Sequence, residues 1–267
     1  MSKHLPIAVF DSGVGGLTVV AALRRLLPQE AIIYLGDTAR LPYGTKSPDV
    51  VQRYAHACAQ FLVRQGAKML LVACNTASAH ALDYLQKSLP IPVLGVIEPS
   101  AQAAINATKT GIIGVACTEG TRDSGVYPAL LKRLDPKVMV HVTACPLFVP
   151  LAEEGMFEHP ATVLLAEEYL RPLLDKNIDT LVLGCTHYPL LTPLMRTVCG
   201  PGVRIADSAQ AAAEAVRASL LADGTLAGAR TQGDVFFATD VSTRLQRVGS
   251  AFLGAPLRRV GWVDLSG

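Results

Sequence analysis

Cys74 and Cys185 are the residues of this 267-residue chain whose type and setting best suit catalysis. Each closes a short apolar run and is followed by two residues that can form hydrogen bonds: Asn75 and Thr76 after the first, Thr186 and His187 after the second. Such runs predict buried strands, and open α/β sheets bind ligands at the carboxyl ends of their strands. Two thiols facing one cleft would suit a reaction that removes a proton from one side of a small molecule and returns one to the other.

The alternative for each cysteine is a small buried apolar residue, because free cysteine is among the most buried residue types. That alternative better suits the other four: Cys58, Cys117, Cys145 and Cys199. It suits Cys74 and Cys185 less well, since the polar residues after them must face a partner or water. A metal site is not expected, because Cys185-x-His187 supplies half of one and no CxxC or HxxxH pair supplies the rest.

Other polar residues lie beside these cysteine strands. His187 can hold a thiolate or exchange a proton with it, although a lone histidine is more often structural. Asp11 and Ser12 open a glycine-rich run, residues 11–16, which predicts a tight strand-to-helix turn whose free N–H groups favour an anion. Helix capping is the alternative for both residues. Nucleotide binding is disfavoured, because the run lacks the spacing of a dinucleotide fingerprint and the ending of a phosphate loop.

Composition and charge limit the classes of protein to which the chain can belong. Hydrophobic residues make up 50%, and the formal net charge of +2 comes without a run of like charges that could follow a nucleic-acid backbone. Six cysteines in a chain of this length indicate reduced thiols rather than a disulfide framework. No signal peptide or membrane-spanning stretch is recognisable. We therefore expect a cytoplasmic protein that binds neither nucleic acid nor membrane.

Short apolar runs alternate with segments of helical periodicity along almost the whole chain. The apolar runs predict strands at residues 7–11, 32–37, 69–75, 93–98, 112–118, 138–145, 181–186, 203–207, 235–240 and 260–264. The periodic segments predict helices at residues 16–27, 48–65, 77–87, 99–108, 121–134, 161–175, 190–197, 208–222 and 242–253. Continuously apolar strands are buried on both faces, as in parallel sheets covered by helices, so the predicted fold class is α/β.

The two halves of the chain repeat one another. Residues 9–13 and 115–119 both close an apolar strand with small polar residues, and each group precedes a cysteine strand by a similar distance. This repetition predicts two similar α/β domains with mainly parallel sheets, related by a pseudo-twofold axis. We expect residues 1–97 with 208–267 to form the first domain and residues 98–207 the second, with the active site in the cleft between them.

Five motifs together resemble those of bacterial glutamate racemases, within the aspartate/glutamate racemase superfamily. They are FDSGVGGLT at residues 10–18, GDT at 36–38, PYG at 42–44, ACNTASA at 73–79 and GCTHYPL at 184–190. The resemblance implies a racemase that needs no cofactor and supplies D-glutamate for peptidoglycan. It also implies a homodimer whose subunits each have two α/β domains facing each other across the site.

The resemblance further implies roles for individual residues. Cys74 would be the base for D-glutamate and Cys185 the base for L-glutamate. Asp11 would assist Cys74, whereas His187 would assist Cys185, with the carboxylate of Glu153 near the latter. The residues implied to bind the ammonium and carboxylate groups of the substrate are Asp11, Ser12, Tyr43, Gly44, Asn75, Thr76, Thr118, Thr121, Thr186 and His187.

The chain departs from the family pattern in places. Residues 116–117 and 122–123 differ from it, which affects the assignment of Thr118 and Thr121. The chain also begins ten residues before Asp11, so we expect no activation by a cell-wall precursor through an amino-terminal extension.

Cysteine suits this chemistry because an α-proton is far less acidic than any side chain and must be removed by a strong base in a dry site. A free cysteine has a pKa of about 8.5, so one charged neighbour can shift the balance between thiol and thiolate. No lysine stands in a motif to form a Schiff base, so pyridoxal phosphate is not expected.

Three other functions remain open at this stage. An aspartate racemase or another racemase of the superfamily would use the same thiol pair and differ in pocket length. A two-lobed amino-acid-binding protein would not need thiols at symmetric positions. Binding to DNA gyrase, reported for some glutamate racemases, is neither supported nor excluded by the sequence.

Some of the candidate site residues also have a purely structural interpretation. Tyr43 and Gly44 could belong to an ordinary loop, and Glu153 and Glu154 could be solvated charges at a helix end.

Overall fold

The computed structural model describes residues 3–265, and within them the chain forms ten strands. The strands are β1 (Ile7–Asp11), β2 (Ile32–Gly36), β3 (Met69–Val72), β4 (Val93–Gly95), β5 (Ile112–Cys117), β6 (Met139–Ala144), β7 (Thr180–Gly184), β8 (Arg204–Ala206), β9 (Val235–Ala238) and β10 (Gly261–Trp262). The described residues also form eleven α-helices and two short 3-10 helices.

The helices connect and cover the strands. They are α1 (Leu17–Leu26), α2 (Pro48–Arg64), α3 (Asn75–Ser88), α4 (Ile97–Ala107), α5 (Glu119–Asp123), α6 (Val126–Leu134), α7 (Phe148–Glu153), α8 (Pro160–Leu174), α9 (Thr192–Cys199), α10 (Ser208–Ala222) and α11 (Thr243–Leu253). Short 3-10 helices span Tyr43–Thr45 and Tyr188–Leu191.

The strands form two sheets in which all paired strands are parallel. The first has the order β10-β9-β2-β1-β3-β4, and the second has the order β6-β5-β7-β8. The order β2-β1-β3-β4 in the first sheet matches β6-β5-β7-β8 in the second, so the predicted repetition of the two halves has a counterpart in the topology. The α/β class with two parallel sheets flanked by helices is confirmed.

The last part of the chain returns to the first sheet, because β9 pairs with β2 and β10 with β9. The first sheet thus takes its strands from residues 7–95 and 235–262, and the second takes its strands from residues 112–206. The domain limits 1–97 with 208–267, and 98–207, stay a prediction.

Each sheet separates two apolar cores. In β1, Ile7 and Val9 join the core on one face, whereas Ala8 and Phe10 join the core on the other. All residues of β1, β2, β3 and β7 are buried, as their continuous apolar sequences require in a sheet covered on both faces. Rigid, buried strands of this kind can hold the residues at their carboxyl ends in fixed positions.

Several predicted boundaries were wrong. The predicted helix at 121–134 is two helices, because Gly125 between them adopts a left-handed conformation with φ of 65°. The predicted helix at 190–197 begins as the 3-10 turn at Tyr188–Leu191 and continues as α9 to Cys199. Helix α7 was not predicted at all, since six residues are too few to show a helical period.

The predicted cysteine strands also end earlier than expected, at Val72 in β3 and at Gly184 in β7. Cys74 lies outside the strand as the N-cap residue of α3, where its sulfur accepts a hydrogen bond from Ala77 N. Cys185 follows β7 directly and precedes a 3-10 turn. Both thiols are therefore carried by loops at the strand ends, which frees the side chains from the alternation of a strand.

Candidate active site

The carboxyl ends of the central strands of both sheets meet at one cavity with an empty volume of about 460 Å³. All the predicted site residues except Asp11 and Thr121 line it: Ser12, Tyr43, Gly44, Cys74, Asn75, Thr76, Thr118, Glu153, Cys185, Thr186 and His187. The remaining lining residues, which the sequence did not single out as site residues, are Gly13, Leu41, Pro42, Val149 and Gly184.

Cys74 approaches the cavity from the first sheet, and its side chain is 6% exposed. Its thiol donates to Ser12 Oγ at 3.5 Å, and the sulfur accepts from Ala77 N at 3.4 Å. Burial, reinforced by the negative charge of Asp11, raises the pKa of the Cys74 thiol to about 11, against the opposing effect of these hydrogen bonds. In the unliganded site Cys74 is therefore a protonated thiol at neutral pH.

Cys185 approaches the cavity from the second sheet and is 7% exposed. Its Sγ lies 3.9 Å from His187 Nδ1, within the reach of a hydrogen bond to sulfur. Burial raises the pKa of Cys185 well above its usual value; the backbone N–H of His187 lowers it, and Cys74 and Asp11 raise it further. The two thiols thus affect each other's ionisation, so ionising one makes ionising the other harder.

His187 is held by a carboxylate on its far side. Its Nε2 lies 3.0 Å from Glu153 Oε1, and Glu153 in turn lies near Arg244 of α11. Glu154, the neighbouring carboxylate, contacts Arg244 and not His187. Burial alone would raise the pKa of Glu153, but the hydrogen bond and charge of His187, together with those of Arg244, hold it below the ordinary value.

Asp11 ends β1 and is fully buried beneath the cavity rather than lining it. Its Oδ2 accepts from Gly13 N at 2.9 Å, and its Oδ1 accepts from Thr186 Oγ1 at 3.3 Å. Burial raises the pKa of Asp11, partly offset by the charge of His187 and by hydrogen bonds from Gly13, Gly16 and Thr186. Asp11 therefore connects the loop after β1, in the first sheet, to the loop of the second sheet that carries Cys185.

The glycines of the loop after β1 permit this close approach. A Cβ atom on Gly15 would lie 2.3 Å from Thr186 Oγ1 and 2.5 Å from His187 Nδ1. Thr18, at the start of α1, donates through Oγ1 to the carbonyl of Thr186 at 3.2 Å. Glycine is required at residue 15 because any side chain there would push the loop after β1 away from the loop that carries Cys185.

Asn75 lines the cavity and carries a hydrogen-bond donor without a partner among the described residues. The hydroxyl of Tyr127, which is 1% exposed, donates to Asn75 Oδ1 at 2.8 Å. Asn75 Nδ2 is buried and has no hydrogen-bond partner within the described part of the chain. A buried amide donor without a partner is costly unless a ligand uses it, and a carboxylate is the natural acceptor.

Three threonines connect the two halves beside Asn75. Thr76 Oγ1 lies 3.0 Å from Thr118 Oγ1 and 3.3 Å from Thr121 Oγ1. Thr118 also caps helix α5, where its side chain accepts from Thr121 N. Thr76 and Thr118 face the cavity, whereas Thr121 supports them from behind.

The loop after β2 contributes Tyr43 and Gly44. The Tyr43 hydroxyl donates to Asp37, a buried carboxylate that also binds Arg40 and Thr239. A Cβ atom on Gly44 would lie 2.9 Å from Thr118 Cβ, so this loop also contacts the second half closely. The segment is an anchored wall of the cavity and not the ordinary loop that was the alternative.

Three supporting residues were missed from the sequence: Asp37, Tyr127 and Arg244. Asp37 follows β2 as Asp11 ends β1, so its place at a strand end was a usable signal. Tyr127 and Arg244 lie in helices α6 and α11, where nothing in the local sequence distinguishes them from ordinary core and surface residues. Their contacts with Asn75 and Glu153 arise only from tertiary structure.

Within residues 3–265, no group of three or more histidine, cysteine, aspartate or glutamate side chains is arranged to hold a metal ion. Across the same residues, none of the helices combines the length and the apolar character needed to cross a bilayer.

Comparison with known proteins identifies relatives over almost the whole chain. The model of the Asp/Glu/Hydantoin racemase family matches residues 17–216. A glutamate racemase from Geobacter metallireducens is 50% identical over 260 residues, which cover 97% of this chain and 96% of that protein. The crystal structure of a glutamate racemase isoform from Bacillus anthracis has a TM-score of 0.95 at 41% identity, covering 98% of both chains. That of a glutamate racemase from Francisella tularensis in complex with D-glutamate has a TM-score of 0.93 at 37% identity, covering 99% of both.

Proposed function

The chain belongs to the Asp/Glu/Hydantoin racemase family, and we propose that it interconverts L-glutamate and D-glutamate with two cysteines and no cofactor, supplying D-glutamate for peptidoglycan. One observation carries the proposal: a thiol from each half of a chain about half identical to glutamate racemases faces a single buried cavity. The enzyme is an isomerase acting on amino acids.

The reaction requires one base and one acid on opposite faces of Cα. With L-glutamate bound, the Cys185 thiolate removes the α-proton and the Cys74 thiol returns a proton to the other face. The product is D-glutamate, with Cys185 now a thiol and Cys74 a thiolate; D-glutamate reacts by the reverse steps. Low exposure of both sulfurs supports this, since a dry site strengthens a base.

Each thiol needs a neighbour that restores its proton state between turnovers. Asp11 raises the pKa of Cys74 through its charge and is proposed to exchange a proton with it. His187 lies beside Cys185 and is backed by Glu153, so this pair is proposed to do the same for Cys185.

The polar lining suits a substrate with two carboxylates and an ammonium group. Asn75 Nδ2 is proposed to donate to a carboxylate, since it has no partner in the described structure. The hydroxyls of Ser12, Thr76, Thr118 and Thr186 are proposed to bind the remaining charged groups, along with Asp11 and His187, while Thr121 orients Thr76. Because Asp37 takes the Tyr43 hydroxyl, Tyr43 and Gly44 are proposed to act through their backbone.

The test is incubation of dialysed, chelator-treated protein with L-glutamate and with L-aspartate in heavy water, followed by chiral and mass analysis. We expect D-glutamate only, carrying deuterium at Cα from its first formation, while the remaining L-glutamate stays mostly unlabelled at early times. Faster turnover of aspartate would indicate an aspartate racemase instead. Activity that returns only with added pyridoxal phosphate or metal would contradict the proposal, as would binding without racemisation.

The two-thiol assignment has its own variants. Cys74→Ala and Cys185→Ala should each abolish racemisation, whereas Cys58→Ala, at a buried cysteine outside the cavity, should not. Elimination of a leaving group from the β-carbon of a glutamate analogue needs one base only. Cys74→Ala should therefore still act on the L-analogue, and Cys185→Ala on the D-analogue.

Three broader features are proposed from the family resemblance. The protein is a cytoplasmic homodimer, its two domains comprise residues 1–97 with 208–267 and residues 98–207, and it binds neither nucleic acid nor membrane. Light scattering of the purified protein tests the dimer. No feature of the described structure supports an interaction with gyrase, which a supercoiling assay would detect.

A further inference from the structure

Arg244 connects the two halves of the molecule. It belongs to the segment that returns to the first sheet, and it contacts the end of α7, beside the cavity, in the half that contains the second sheet. It lies in the first turn of α11, a helix that packs against α1, and it contacts two carboxylates at the end of α7. One contact is to Glu153 Oε2 at 3.4 Å, and the other is a direct ion pair with Glu154. Arg244 does not line the cavity.

These contacts complete a chain of polar atoms that leads to a thiol. Cys185 Sγ lies 3.9 Å from His187 Nδ1, His187 Nε2 lies 3.0 Å from Glu153 Oε1, and the second oxygen of Glu153 faces Arg244. A carboxylate whose two oxygens are both engaged cannot rotate freely. The orientation of the His187 ring, and so the direction of its Nδ1 towards Cys185, depends on that carboxylate.

The same helix supports His187 from a second direction. Phe252, in the last turn of α11, meets the imidazole ring edge-on with ring centroids 5.0 Å apart. Arg244, near the start of α11, thus contacts Glu153, the partner of His187. Phe252, near the end of the same helix, contacts the imidazole ring itself. An ordinary surface ion pair would lack this geometry: Glu153 is only 16% exposed, and its other oxygen bonds a residue of the cavity wall.

We propose that Arg244 is a positioning residue for the Cys185 side of the reaction, fixing Glu153 so that His187 points at the Cys185 thiol. The inference rests on the proposed racemase function and deepens it. Because α7 follows the second sheet and α11 belongs to the segment that joins the first, this pairing exists only while the two halves are in contact. Arg244 therefore links the orientation of His187 beside Cys185 to the packing of the two halves against each other.

The test replaces Arg244 by methionine, which keeps an unbranched apolar stem and removes the guanidinium group with its charge. We expect kcat to fall roughly tenfold in both directions, as for other groups that orient a catalytic residue, with KM and Tm unchanged. KM should not change because Arg244 lies outside the cavity. Tm should not change measurably because the Arg244 side chain is 47% exposed, and ion pairs of such an exposed side chain add little to stability.

Isotope effects separate positioning from a general loosening of the site. In Arg244→Met, removal of the α-deuteron from L-glutamate by Cys185 becomes more rate-limiting, so the isotope effect on kcat/KM with α-deuterated L-glutamate rises. With α-deuterated D-glutamate, the deuteron is removed by Cys74 and the effect falls. His187→Asn should shift both effects in the same directions, and Arg244→Lys should restore most of the activity.

The control is Arg247→Met, which removes the same charge from an exposed residue one turn along α11 and should behave as wild type. Wild-type kcat and isotope effects in Arg244→Met would overturn the proposal. So would isotope effects that change in the same sense for both enantiomers, or a kcat loss equalled by Arg247→Met. Failure of the proposed function would be seen differently, because the unmodified protein would then not racemise glutamate. The outcomes above are measured in an active enzyme, so they test the role of Arg244 alone.

Discussion

At Cys74 and Cys185, burial and catalysis place opposite demands on sulfur. A dry site makes a thiolate a stronger base, yet the same burial favours the neutral thiol, and the pKa of Cys74 rises to about 11. The neighbouring Asp11 and the other thiol add to this preference. Both sulfurs are therefore held as neutral thiols, and a thiolate forms only where further interactions offset the cost of its burial.

This ionisation state predicts slow alkylation that depends steeply on pH. Because thiolate is the reactive form, the rate of Cys74 modification by iodoacetamide should rise roughly tenfold per pH unit from about pH 7 to about pH 9. The measurement is peptide mapping by mass spectrometry in the absence of substrate, with free glutathione as the reference. A rate for Cys74 that levels off below about pH 8 would show that the thiol is not held in its neutral form.

Tyr127 gives a second prediction at the residue scale. Its hydroxyl fixes the orientation of the amide of Asn75, a residue that lines the cavity and whose Nδ2 has no partner within the described residues. Tyr127→Phe removes that bond, worth about 1 kcal/mol, and should raise KM for glutamate about fivefold while changing kcat less. Initial rates with both enantiomers measure it. Tyr84→Phe, at an exposed tyrosine of α3, is the matched control, and an equal rise in KM there would contradict this role for Tyr127.

Among the elements, the existence of the strands was more predictable than the residues at which they end. All ten predicted strands exist, because short, continuously apolar runs bounded by polar or turn residues are typical of strands buried in a covered parallel sheet. The boundaries at Cys74 and Cys185 were wrong because a cysteine suits both a strand and the loop after it. Helix α7, which carries Glu153, escaped prediction because Phe148–Glu153 is short and contains Pro150.

The turn before β7 is a testable element. The Asp179 carboxylate accepts four hydrogen bonds, from the Thr108 and Thr180 hydroxyls and from the backbone N–H groups of Lys109 and Thr110. Burial alone would raise the pKa of Asp179, but these bonds hold it well below its ordinary value. Asp179 thereby ties the loop that precedes β5 to the start of β7.

Asp179→Asn should lower the free energy of unfolding by about 1–2 kcal/mol near neutral pH. Since the folded-state pKa is lowered, this stabilisation is present above the unfolded pKa of about 3.9 and is lost as the pH falls below it. Urea unfolding at several pH values is the measurement, and the difference from wild type should shrink in acid. Asp175→Asn, at an exposed residue nearby, serves as control; a difference that persists in acid would argue against the carboxylate.

At the scale of the whole molecule, one buried ion pair anchors the returning segment. Lys68 Nζ lies 2.6 Å from Glu30 Oε2, and both side chains are about 1% exposed. Lys68 also donates to the carbonyls of Lys3 and Thr225, and Glu30 accepts from Ala227 N. These bonds hold the chain that follows α10 against the first sheet before it continues to β9.

Lys68→Met should destabilise the protein by about 3–5 kcal/mol, because it leaves the Glu30 carboxylate buried without its counter-charge. Adding Glu30→Gln should recover part of that loss, since the uncompensated charge is then removed. Guanidinium unfolding of both variants is the measurement. A double variant no more stable than Lys68→Met would show that the pair is not coupled in this way.

By itself, the sequence determined the α/β class, the ten strands and the two strand-end thiols, because each depends on local composition and on where apolar runs stop. It also determined the family, through motifs at residues 10–18, 73–79 and 184–190. Tertiary structure alone decided which groups support the side chains of the site. Tyr127 donates to Asn75, and Arg244 contacts Glu153. Those partners come from helices on the opposite half of the molecule, and a contact between distant segments leaves no periodic or compositional signal in either one.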